Sequence, residues 1–253
     1  WSSDVCSSDL WWSKTRWCHI WRLLTKGYVE YEACIIMNEQ QALNYAETLK
    51  SAIKDVEEFE KKFAKFEGKK YAIGVTSATA GLHLSLLSLG ISRGDEVIVP
   101  SKTFISTANA ALYCNAKPVF CDVDQKTYQL DPEKLGKLIT KRTKAIIPVH
   151  LGGNMCPMDQ IQEIASKKDI PIVEDCAHAH GSTFHGKKSG TFGKIGVFSF
   201  YPDKIMASSD GGILVTDDYS LCDKLQLLRN VGRRRIGQDA YSEIGYNYRM
   251  NEI

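Results

Sequence analysis

From residue 71 to residue 216, short apolar runs alternate with longer segments whose apolar residues recur every three or four positions. The runs at 71–75 (YAIGV), 96–99 (EVIV), 118–121 (PVFC), 145–149 (AIIPV) and 170–173 (IPIV) are too short for helices. They are rich in Val and Ile and predict buried strands. Between them the spacing predicts helices over 80–89, ending at Gly90, over 107–113, over 132–139 with Asp131 as N-cap, and over 159–167. Upstream, Leu43, Ala46 and Leu49 predict a helix over 39–50. Val56, Phe59, Phe63 and Phe66 share one face of another over 56–67, which stops at Gly68, and are expected to be core. An aromatic strand from Val197 runs into Pro202, and 213–216 (ILVT) predicts a further strand. Together these elements predict a three-layer α/β/α fold with a mostly parallel central sheet. In such sheets ligands gather at the carboxyl ends of the strands, so the residues just after each strand are the ones to question.

Composition narrows the classes. A chain of 253 residues can bury a sizeable core, and 43% hydrophobic with 25% charged content is ordinary for a globular protein. A net charge of +2 gives no reason to expect nucleic acid or an anionic membrane as partner. No run approaches the roughly 18 apolar residues of a membrane span. The eight cysteines form no C-x-x-C pair, which points to neither a zinc site nor a disulfide framework, and reduced thiols fit a cytoplasmic enzyme. All five tryptophans fall within the first 21 positions, and WSSDVCSSDL resembles the in-frame translation of a sequencing adapter. Residues 1–36 are therefore expected to be a non-native leader, with Met37 at or near the native start. At the other end, Asn251-Glu252-Ile253 reads as the first turn of a helix that does not finish.

The strand ends carry candidate chemistry, each with a plainer alternative. Thr76-Ser-Ala-Thr-Ala-Gly81 opens into a helix, where backbone N–H groups and the Thr79 hydroxyl suit a phosphate; ordinary N-capping explains it as well. Phe104 stands where an aromatic could stack on a flat ring, or simply fill core. In Glu174-Asp-Cys-Ala-His178-Ala-His180, an acid at the end of an apolar strand needs a cationic partner, and a protonated pyridine nitrogen is one. His178 could hydrogen-bond a ring substituent and His180 could be structural. No third ligand at standard spacing supports a metal.

Lys204 follows the aromatic strand at once, with a Ser/Asp/Gly loop after it and Ser199 five residues before. Taken alone it reads as a solvated turn lysine, yet a lysine can also form a Schiff base with a carbonyl cofactor. A lysine, an acid for a ring nitrogen, an aromatic for a ring face and hydroxyls for a phosphate make up the requirement list of pyridoxal phosphate (PLP).

The segments SATAGLHLSLLSLGISRGDEVIVP (77–100), TFISTANA (103–110), AKPVFCDVD (116–124), TKAIIPVHLGG (143–153), VEDCAHAHG (173–181), FSFYPDK with DGGILVTDD (198–218) and GYNYRMNEI (245–253) resemble the nucleotide-sugar aminotransferases of the DegT/DnrJ/EryC1/StrS family, fold type I PLP enzymes. The resemblance runs in order across residues 57–253. It implies that Lys204 binds PLP covalently, that Asp175 pairs with the ring nitrogen, and that His178 hydrogen-bonds the ring hydroxyl. It also implies that Phe104 stacks on the ring and that Ala78, Thr79, Ala80 and Ser199 hold the phosphate. Asn247 resembles the residue that reaches the phosphate of a neighbouring subunit, which implies a homodimer with shared active sites. The implied activity moves an amino group, by family habit from glutamate, to a keto group of a nucleotide-activated deoxy sugar for polysaccharide or cell-surface glycan synthesis. The alternatives are a sugar dehydratase of the same family, against which Lys204 argues because those enzymes carry His there, and an inert fragment. Three features depart from the family: Ala78 where Gly is usual, Ile205-Met206 after the lysine, and a short 50–55 segment in place of a glycine-containing strand. The resemblance makes 37–253 the PLP-binding large domain with its N-terminal helices, the C-terminal small domain being missing.

Overall fold

The computed structural model describes residues 56–208, 210–234 and 241–250. The expected leader, the 39–50 helix, the short 50–55 segment and the final turn at 251–253 lie outside them. In chain order the elements are α1 (Val56–Glu67), β1 (Tyr71–Val75), α2 (Ala78–Ser88), β2 (Glu96–Pro100), α3 (Ser106–Tyr113), β3 (Lys117–Cys121), α4 (Pro132–Leu138) and β4 (Thr143–Ile146). After a 3-10 turn at Leu151–Gly153 come α5 (Met158–Ser166), β5 (Val173–Asp175), the short hairpin β6 (Thr183–Phe184) and β7 (Lys187–Lys188), then β8 (Ile195–Ser199), β9 (Gly212–Thr216) and α6 (Tyr219–Arg229).

Two ladders, β1-β9-β8-β5 and β3-β2-β4, join through parallel bridges Ile146–Ile172 and Val149–Asp175. The resulting sheet runs β3-β2-β4-β5-β8-β9-β1. It is parallel except at β9, which is antiparallel to both β1 and β8. Alternation along the strands sends neighbouring side chains to opposite faces. Val97, Val99, Val197 and Leu214 pack with α2, α3 and α6, whereas Ile98, Phe198, Ile213 and Val215 face the side of α1, α4 and α5. That is the expected three-layer α/β/α fold.

Several boundaries differ from the sequence reading. The ladder of β4 ends at Ile146 because Pro148 has no N–H to donate, and only single bridges continue it to Val149. β5 begins at Val173, with Ile172 as a lone bridge after Pro171, which likewise lacks a donor. Phe66 is not core; it is 48% exposed, with the Lys188 ammonium 3.7 Å above its ring. The hairpin β6–β7 and the helix α6 are additions to the expected set.

Two glycines bring elements closer than a side chain allows. A Cβ on Gly81 would stand 2.8 Å from Val197 Cγ1, so α2 lies directly on β8. A Cβ on Gly212 would stand 2.5 Å from the Ala78 nitrogen, so the start of β9 lies against the loop that opens α2.

Candidate active site

The C-terminal ends of β1, β2, β5 and β8 surround a cavity of about 640 Å³. Its lining includes Ala78, Thr79, Phe104, Asp175, His178, Ser199 and Lys204. Seven of the nine expected site residues therefore meet in one place, from segments up to 126 positions apart. Ala80 is buried behind the lining, and its N–H donates to the Ser77 side chain, the N-cap of α2, at 3.1 Å. Asn247 stands outside the lining on exposed backbone that bridges Asn230.

Lys204 follows β8 at a tight turn closed by its N–H to the Tyr201 carbonyl. Its ammonium lies 3.0 Å from Asp203 Oδ1 and 3.0 Å from His178 Nε2. The Gly152 N–H donates to His178 Nδ1 at 3.2 Å, on the side of the ring away from the lysine. Burial, and then the positive charge of Lys204, hold the His178 imidazole below its ordinary range, so the ring is neutral at pH 7.

Asp175 ends β5 inside the cavity. Thr107 Oγ1 donates to one carboxylate oxygen at 2.9 Å and the Ala177 N–H to the other at 3.2 Å. Thr103 Oγ1 stands 3.0 Å from Thr107 Oγ1 and extends the chain toward the cavity mouth. Burial pushes the Asp175 carboxyl up despite these hydrogen bonds, and no salt bridge reaches it among the described residues. An acid in this state calls for a cation from a ligand.

At the other side, Thr79 Oγ1 lies 2.8 Å from Ser106 Oγ, and Ser199 Oγ accepts from the Tyr201 N–H at 3.3 Å. Hydroxyls and the N-terminus of α2 thus face the same cavity wall, which suits a phosphate. Phe104, 71% exposed, offers a bare ring face at the rim. His180, by contrast, packs on Phe198 and Phe200 outside the lining, and burial pushes its pKa down to about 4. It is a core residue.

The residues fit PLP on the structure's own terms: a buried acid without a cation, a lysine 3.0 Å from a neutral His, and a hydroxyl-lined helix start packed closely on Gly212. The match to the DegT/DnrJ/EryC1/StrS aminotransferase family covers residues 34–253. The chain belongs to that family. It is 47% identical over 196 residues to GDP-perosamine synthase of Caulobacter vibrioides, covering 78% of this chain and 53% of the relative. It is 44% identical to the spore coat polysaccharide biosynthesis protein SpsC of Bacillus subtilis, covering 76% and 50%. The solved DesV of S. venezuelae, in complex with ketimine intermediate, superposes with a TM-score of 0.78 at 37% identity, covering 85% of this chain and 60% of that one. The chain thus spans about half the length of the curated relatives it matches. Other solved structural neighbours carry PLP or its amino form, and PLP is the cofactor of this DegT/DnrJ/EryC1/StrS chain.

Reading strand ends missed Thr107, whose hydroxyl supports Asp175, and Gly152, whose N–H orients His178. Thr107 stands in the quoted TFISTANA segment, but only the fold brings it to a residue 68 positions away. Tyr201, Asp203 and Asp210 also line the cavity.

Proposed function

We propose that the protein is the PLP-binding large domain of an aminotransferase that moves an amino group from an amino acid, by family habit glutamate, to a keto group of a nucleotide-activated deoxy sugar. The product would serve polysaccharide or cell-surface glycan synthesis in the cytoplasm. The observation that carries this reading is the convergence of Lys204, Asp175, His178 and the α2 start on one cavity. The names of the Caulobacter and Bacillus relatives, a GDP-perosamine synthase and a spore coat polysaccharide biosynthesis protein, support the sugar and the polysaccharide role.

When bound, PLP supplies an aldehyde and a ring that takes up electrons from the substrate's reacting carbon. The chain's own residues then divide the remaining work. Lys204 Nζ would hold the cofactor and would carry a proton to and from the reacting carbon. Asp175 keeps the ring nitrogen protonated, because its buried charge needs that cation. His178 would hydrogen-bond the ring hydroxyl, and Phe104 would shield a ring face from water.

The functional unit proposed is a homodimer with shared active sites. Supporting it, Phe104, Ile105, Leu112 and Tyr113 leave apolar surface exposed on and before α3, beside the cavity. Asn247, exposed and outside the lining of its own cavity, would serve the partner's phosphate.

The test is Lys204→Ala. Adding PLP to the wild-type chain should generate the visible absorbance band of bound cofactor, and the variant should lose both that band and sugar amination, by ~10²-fold or more. A variant that aminates at the wild-type rate would remove Lys204 from this role.

A further inference from the structure

His150, Glu174 and Cys176 form a buried cluster behind the cavity whose ligand atoms lie close enough to hold a metal ion. The lone pairs needed for a metal are already used. Glu174 Oε1 accepts from the N–H groups of Phe192 at 2.7 Å and Gly193 at 2.6 Å, and Oε2 from the Gly190 N–H at 2.9 Å. His150 Nε2 completes the set 3.1 Å from Oε2, while Nδ1 accepts from the Cys156 N–H at 3.2 Å. Burial pushes the Cys176 thiol up to about 12, so it is not a thiolate. A carboxylate offers about four acceptor positions, and all four are filled.

The arrangement touches the cofactor site at three points. The backbone N–H of His150 donates to the carbonyl of Asp175 at 3.1 Å, while its ring holds Glu174, the preceding residue of β5. The turn that follows His150 carries Gly152, whose N–H orients His178. Through Glu174 the ring also holds loop 190–193, which leads into β8 and so to Ser199 and Lys204.

We propose that His150 is a positioning residue for the cofactor: its ring, bonded to Glu174, fixes Asp175 and His178 against the strand that leads to Lys204. Side chains that orient a ligand-holding group are commonly worth about 10–100-fold in affinity when removed, as outer partners of metal ligands are. The inference rests on the reading of Asp175 and His178 as contacts to the PLP ring.

The experiment compares His150→Gln, whose amide can replace Nε2–H toward Glu174, with His150→Leu, which cannot. Both are read against wild type and Lys204→Ala by PLP affinity and by visible circular dichroism of the bound cofactor, which reports its orientation. His150→Leu should bind PLP about tenfold more weakly or worse and change the dichroic band, and His150→Gln should restore both. Should the Leu variant fail to fold, Glu174→Gln, which keeps the shape and removes one acceptor, should show the same change in the band. An unchanged dichroic band in whichever of these folds would overturn the proposal and leave His150 a structural residue. If Lys204→Ala also keeps the band, the cofactor site itself has been misread, which separates the two failures.

Discussion

At the scale of single residues, the least expected group is Glu67 at the end of α1. It is 1% exposed, and neither carboxylate oxygen has a hydrogen-bond partner within bonding geometry. Burial pushes its pKa up to about 7 from an ordinary 4.5; nearby Lys188 and the Gly181 backbone offset this only in part, and Glu174 adds to it. The folded protein therefore keeps a proton that the unfolded chain releases near pH 4.5. Between that point and about pH 7 the unfolded state binds fewer protons, so this group's contribution is fully present below 4.5 and is lost as pH rises through about 7. Glu67→Gln should flatten that fall: thermal unfolding from pH 5 to 8 should show the variant gaining on wild type as pH rises. Equal slopes would mean that Glu67 finds a charge partner in solution. Nothing in a single glutamate at a helix end announces this. By contrast Lys204, Asp175 and His178 were legible, because each stands at a strand end next to distinctive small or aromatic neighbours.

At the scale of elements, the strands and helices from residue 56 to 216 were legible, since their apolar runs are bounded by Gly, Pro and Asp. The β6–β7 hairpin was not: its strands are two residues each, and it turns on His185 and Gly186 at φ of 48° and 76° rather than on an apolar pattern. For α6 a signal was available in the Asp218 N-cap and the spacing of Leu221, Leu225 and Leu228. The strand order, and with it the pairing of His150 with Glu174, depends on crossovers that local patterns do not encode. Gly212 is similar, since its need for a bare Cα comes from the loop before α2 rather than from its own strand. Gly212→Ala should force β9 and that loop apart, costing roughly 1–3 kcal/mol. Chemical denaturation of the cofactor-free protein should register that loss, and PLP should dissociate faster because the proposed phosphate wall has moved. Unaltered PLP release would show that the loop absorbs the methyl group without disturbing the site.

At the scale of the whole molecule, β9 is the one strand of the seven-stranded sheet, among the described residues, that runs against its neighbours. It lies between β1 and β8, so the chain leaves the sheet at Ser199, passes through Lys204, and re-enters at Gly212 beside its point of departure. Both strands are buried along their full length, and four residue pairs join them. The lysine loop is therefore a bight with both ends fastened in the interior, and the continuity of its peptide bonds is not what keeps them together. A protease cut between residues 203 and 208 should give two pieces on a denaturing gel that still elute together by native size exclusion. Fragments 56–203 and 204–250, expressed as separate chains, should assemble by the same contacts. The proposed tether to the cofactor and the architecture that surrounds it are thus separable properties of this protein.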